Sequence, residues 1–200
     1  MRHAVGWVLI AAAAAANAAP VEFSNPTAGV RVTMPDGWVA VTAEQNRETL
    51  SRAEIRDMDF AAAVARYATV PMFAFARYPE PFDDLNPSFK INLRPAGAFV
   101  GRSGVQIIEA MVPGLEKAFG AMPVIPPHAT TVSGLPAGHV RIDYELVADG
   151  RNFPVSSDLW VVPHGSHFFI IGTGIRQDER TGSRADVERI VASLRIDPPR

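Results

Sequence analysis

The stretch 135–175 constrains this chain more than any other. Three runs of alternating apolar and polar residues, 135–147, 153–162 and 167–175, are separated only by Ala148-Asp149-Gly150-Arg151 and Pro163-His164-Gly165-Ser166. Alternation is the mark of a half-buried strand, and Asp-Gly suits a two-residue hairpin turn. Strands joined this tightly must lie side by side and antiparallel. Centring the turns on Asp149-Gly150 and His164-Gly165 predicts Tyr144 opposite Val155, Arg141 opposite Asp158, and Asp158 opposite Ile171.

That register sorts two faces. Val140, Ile142, Tyr144, Leu146, Phe153, Val155, Leu159, Val161, Phe168 and Ile170 share one side, which must be core. The other carries His139, Arg141, Asp143, Glu145, Ser156 and Asp158 before turning apolar at Trp160, Phe169 and Ile171. A sheet dry on one face and half-dry on the other needs cover on both, complete only on the first.

The rest of the chain supplies that cover. Residues 21–23 and 30–34 read as a hairpin around Asn25-Pro26-Thr27-Ala28-Gly29, and residues 38–41 continue extended after Pro35-Asp36-Gly37. From Glu44 to Ala68 there is neither Gly nor Pro, and Leu50, Ile55, Met58, Ala62 and Ala65 form a helical stripe, in one helix or in two divided near Asp57-Met58-Asp59-Phe60. Residues 70–78 and 88–93 read as strands either side of a polar turn. Ser103 with Gln106 three residues on is a capping box for a helix whose apolar side is Val105, Ile108, Met111, Val112, Leu115 and Phe119; Pro113-Gly114 should kink or split it. Ser183 with Asp186 opens a last helix, striped by Val187, Ile190, Val191 and Leu194. Hairpin-joined strands with interspersed helices predict an α+β fold, a central antiparallel sheet flanked by helices on both faces.

Composition narrows the function classes. Lys+Arg 19 against Asp+Glu 21 gives a formal charge of −2 over 200 residues, which disfavours a nucleic-acid or anionic-membrane binder. With no cysteine there is no disulfide, thiolate nucleophile or Cys-ligated zinc. Arg2 and His3, an apolar run of about a dozen residues and the small residues at Ala16-Asn17-Ala18 have the three parts of a secretory leader, too short to span a bilayer. Cleavage after Ala18 leaves a single domain over 19–200 and, with Arg2 gone, a charge of −3. The alanine and arginine enrichment suits a GC-rich bacterial genome, so the expected destination is the periplasm or the medium.

Phe23 followed by Gly29-Val30-Arg31-Val32-Thr33-Met34-Pro35-Asp36-Gly37-Trp38 resembles the opening of the PsbP-like group (Mog/PsbP, LpqN and DcrB type). Gly134-Leu135-Pro136-Ala137 leading into three strands, and a helix closing in Ala192-Ser193-Leu194-Arg195, are similar too, so the resemblance spans about 21–197. It implies an α/β/α sandwich and a binding or assembly role, and it carries over no catalytic residues.

Candidate chemistry is sparse. His164 and His167 bracket a turn and lack the third and fourth ligands of a zinc site. Ser156, Ser157, Asp158 and His167 do not form a hydrolase set, because Ser157 and Asp158 point to opposite faces and no G-x-S-x-G elbow is present. Glu80, Asp83, Asp84 and Asn86 lack the spacing of a calcium loop and read as a solvated acidic loop. Gly101 to Gly104 at a helix start could receive an anion, but capping already accounts for it. Cross-strand pairs on a half-solvated face account for the polar side of the meander; read functionally, His139, Arg141, Asp143, Asp158 and Trp160 are a partner-binding surface anchored on Trp160. The expectation is a non-enzymatic envelope module, without cofactor or metal, acting through a protein partner. The alternatives are a small-ligand carrier with a pocket between the sheet and the kinked helix, or an envelope hydrolase.

Overall fold

A computed structural model of the chain describes residues 20–55, 57–59, 61–62 and 70–199. The leader expected at 1–18 lies outside them, as do residues 56, 60 and 63–68 of the expected first helical stretch.

The N-terminal hairpin forms as expected: β1 (Val21–Asn25) pairs antiparallel with β2 (Val30–Met34), and Gly29 turns the chain at φ 64°. After β3 (Val39–Ala40), Thr42 caps α1 (Ala43–Arg52) in a reciprocal box with Gln45. Then come β4 (Phe73–Ala76), β5 (Ser88–Pro95) and a single 3₁₀ turn over Gly97–Phe99. Ser103 and Gln106 cap α2 (Gly104–Phe119), which Gly120 ends at φ 66°. The strands β6 (Met122–Val132), β7 (Leu135–Ala148), β8 (Arg151–His164) and β9 (His167–Arg176) follow without interruption. Ser183 and Asp186 cap α3 (Arg184–Ser193), and β10 (Arg195–Ile196) closes the described chain.

Seven strands make one antiparallel sheet in the order β3-β4-β5-β9-β8-β7-β6, and β1-β2-β10 make a second, smaller one. Helix α2 lies over β6, β7 and β8 on one face, burying Ile107 and Ile108 against Val140, Ile142, Val161 and Phe168. The opposite face holds Phe89, Ile91, Phe169, Ile171 and Ile175 under Val187, Ile190 and Leu194 of α3 and Val30, Val32 and Trp38 from the small sheet and the turn after it. The expected faces of the meander are therefore correct, but their cover is reversed in extent. The face expected to be half-dry carries the larger apolar cluster.

Several expectations need correction. The first hairpin register holds, with Tyr144 opposite Val155 and Arg141 opposite Asp158. The second is displaced by two residues: the turn is Gly165-Ser166, so His164 faces His167 and Trp160, not Asp158, faces Ile171. A two-residue displacement preserves the faces because side chains alternate with period two. The stretch from Glu44 divides, as the two-helix alternative allows, but earlier: α1 stops at Arg52, Ala53 bridges to Ala148, and helical backbone resumes at 58–59 and 61–62, while Met58, placed on the apolar stripe, is 83% exposed. Pro113 does not split α2: it lies on the exposed side, where water can satisfy the carbonyl of Glu109 that loses its donor. Strand β6 is an addition to the sequence reading: Pro123, Pro126 and Pro127 disfavour a strand, and they are tolerated because β6 is the sheet edge and its ladder is interrupted around them.

Candidate functional site

The polar end of the meander converges on one carboxylate. Because Arg141 sits opposite Asp158 and His139 opposite Trp160, adjacent pairs on one face of β7 and β8 bring four side chains together. Asp158 is 1% exposed. Its Oδ1 accepts hydrogen bonds from His139 Nε2 and Arg141 Nε, each at 2.8 Å. Its Oδ2 accepts one from Arg184 Nη1 at 2.5 Å, and Arg184 Nη2 donates to Ser156 Oγ at 3.0 Å. Arg184 is the first residue of α3, so this carboxylate ties the helix to the sheet. Burial alone pushes the Asp158 carboxyl up, but the His139 and Arg141 hydrogen bonds and the Arg141 and Arg184 charges outweigh it and hold it below the usual carboxylate range.

Around this centre lies a second ring. Glu188, one turn along α3 from Arg184, stands 3.8 Å from Arg141 Nη2, and Glu179 stands 3.9 Å from Arg184 Nε. The His139 ring stacks on Trp160 with centroids 4.7 Å apart, and His128 meets His139 edge-on at 5.0 Å. Asp143 stays outside the network: it faces Ser156 across the ladder, and its Oδ1 is buried without a hydrogen-bond partner. Beside Trp160 a hollow of about 210 Å³ opens, lined by Thr131, Val132, Ser133, Glu188, Val191 and Ala192.

Of the five residues singled out by sequence, the structure joins His139, Arg141, Asp158 and Trp160 and leaves Asp143 to one side. Two of them are not a solvated surface: Asp158 and His139 are buried, at 1% and 8% exposure. Arg184 and Glu188 were missed because they lie on α3, far along the chain. Their i, i+4 spacing beside Val187 and Val191 was the available signal, since it places both on the flank of the buried stripe.

The other candidates resolve into structure. Asp84 accepts from Arg176 and Arg180 and is largely covered, while Asp83 accepts from Arg151 with its side chain 99% exposed, so the acidic loop is solvated as expected except at Asp84. The Arg176 hydrogen bond is the largest influence on Asp178, whose pKa falls to about 2. Ser157 Oγ meets Tyr144 Oη at 3.3 Å on the face opposite Asp158, while His167 Nδ1 lies 3.0 Å from Ser166 Oγ. His164 Nε2 donates to the Asp197 carbonyl at 2.8 Å. Among the described residues no three His, Asp or Glu side chains gather as metal ligands. Gly104 serves packing: a Cβ there would fall on Gly138 N and Val161 O. A second hollow of about 350 Å³ lies by Phe99, Arg102 and Gln106; neither hollow is lined by Pro113 or Gly114, where a ligand pocket was expected. No described helix is long and apolar enough to cross a membrane.

Among solved structures, the chain is similar to LpqN, involved in cell envelope biogenesis of Mycobacterium tuberculosis, with TM-score 0.50 and 17% identity over 90% of each chain. It is also similar to cyanobacterial PsbP (CyanoP) from Synechocystis sp. PCC 6803, with TM-score 0.49 and 12% identity over 94% of this chain and 99% of that one. A protein from Bacteroides thetaiotaomicron VPI-5482 gives TM-score 0.49 and 12% identity over 88% of this chain and 48% of that one, so this chain spans about half its length. No protein-family model and no curated protein matches the sequence. The likeness to LpqN establishes the fold and only the fold: this is an α+β chain of PsbP-like architecture, as the sequence resemblance implied.

Proposed function

We propose that the chain is an exported, non-enzymatic binding module of the bacterial cell envelope, a single domain over 19–200 that engages a protein partner on the Trp160 face. The observation that carries this reading is the division of labour at the site. His139 and Asp158 are buried and fix Arg141 and Arg184, while Trp160, Glu188 and the hollow beside them remain at the surface. Interfaces concentrate binding energy in anchors held this way, a rigid aromatic beside oriented charges. The same hydrogen bonds argue against hydrolysis, because Asp158 is saturated by donors and Ser157 faces away from it. Export is supported by the leader pattern at 1–18 and by the envelope role given for LpqN.

Affinity capture from envelope extracts tests the reading. Tagged protein 19–200 should recover a stoichiometric partner, and Ala192→Trp, which plugs the hollow from an exposed helix position, should lower recovery by about tenfold or more. Glu109→Trp on the far side, on α2, should leave it unchanged. Recovery indifferent to Ala192→Trp, or no partner at all, contradicts it.

A further inference from the structure

The hollow beside Trp160 has chemistry that the docking face as a whole does not specify. Its walls are an indole, the apolar surface of Val132, Val191 and Ala192, the hydroxyl residues Thr131 and Ser133, and one carboxylate, Glu188. The indole is stacked by His139 and packed on the larger apolar cluster, so the ring is held in place where it lines the hollow. Glu188 is half exposed at 54% of its side chain, and Arg141, at 3.8 Å, is its one ion-pair partner among the described residues. Arg141 and Arg184 are both turned inward to Asp158. Arg141 is thus shared between Asp158 at 2.8 Å and Glu188 at 3.8 Å, and Glu188 stands at the hollow as its one lining carboxylate, still half exposed.

An apolar socket for a stem, an aromatic ring for a cation and a carboxylate at the exit complement a long basic side chain. The volume of about 210 Å³ suits one such chain and not a folded element. We infer that the Trp160 hollow is a socket for a lysine or arginine side chain presented by the protein partner. This rests on the docking face proposed above and names what that face recognises.

Blocked tripeptides test it directly: acetylated, amidated Gly-Lys-Gly and Gly-Arg-Gly, against Gly-norleucine-Gly and Gly-Glu-Gly. Titrated into isotopically labelled protein 19–200, the basic peptides should move the Trp160 indole and the Thr131 and Ala192 amide signals saturably. A single side chain should give dissociation constants on the order of 1–10 mM. Norleucine and Glu peptides should bind at least about fivefold more weakly, and Glu188→Gln, at an exposed helix position, should erase that preference without changing the fold. Equal shifts from norleucine and lysine, a preference that survives Glu188→Gln, or no shift from any peptide would overturn the socket. The two readings fail separately. Basic preference with partner capture unaffected by Ala192→Trp supports the socket and removes the docking face; capture that depends on Ala192 without basic preference does the reverse.

Discussion

Asp158 is the residue on which the polar face depends. A buried carboxylate with three donors is stable only while all of them are present, because removing one partner leaves a desolvated charge behind. Asp158→Asn places a neutral amide between Arg141 and Arg184 and should cost about 3–5 kcal/mol in urea unfolding. The acid limb follows from the same hydrogen bonds. Asp158, Asp84 and Asp178 all have folded pKa values below the ordinary 3.8, Asp178 at about 2. In the window between each folded value and 3.8, the unfolded chain binds more protons than the folded one. Stability is therefore fully present above that window and falls as pH drops through it. Asp158→Asn should flatten this loss, measurable as a smaller change in unfolding free energy between about pH 5 and pH 2. An equal slope in the variant would show that the Asp158 carboxyl is not held below the ordinary range as described.

At the scale of elements, the tightest joint is between α2 and the β7–β8 pair. Gly104 opens the helix directly against Gly138, and a Cβ built on Gly138 would lie 2.5 Å from Val105 N. Neither glycine needs left-handed backbone; each is required by the approach of the two chains. Gly138→Ala, inside β7, should cost at least about 1–3 kcal/mol, read by thermal or urea unfolding, while Gly97→Ala, in the 3₁₀ turn with nothing near its Cβ, should cost only what its positive φ of 50° imposes. The sequence made the meander legible because Asp149 and Gly150, at φ 50° and 68°, announce their turn and the alternation states the faces. It misplaced the second turn because Pro163-His164-Gly165-Ser166 allows either of two centres, and a slip of two leaves every side chain on its own face. Strand β6 was hidden by three prolines that only an edge position permits. Arg184 carries only its spacing to Glu188 on the flank of α3 as a signal, and nothing local states that it reaches 26 residues back to Asp158.

Across the whole molecule, the two faces of the seven-stranded sheet are put to different uses. Under α2 the face is sealed by apolar contacts. Under α3 it is apolar at β5 and β9 and becomes ionic at β7 and β8, where helix and sheet are joined through Asp158. This transition leaves Trp160 at the border, packed on the larger cluster on one side and lining the hollow on the other. Half-buried Lys90 shows the cost of a cation without such an arrangement: it lies in β5 between Ala74 and Gly172, and desolvation alone lowers its pKa to about 8.

Site-specific photo-crosslinking tests whether the Trp160 face is where a partner sits. A benzophenone side chain placed at exposed Thr131, beside the hollow, should give one discrete adduct in envelope extracts, and the same probe at Glu109 on α2 should give none. An adduct from Glu109 and silence from Thr131 would contradict the account.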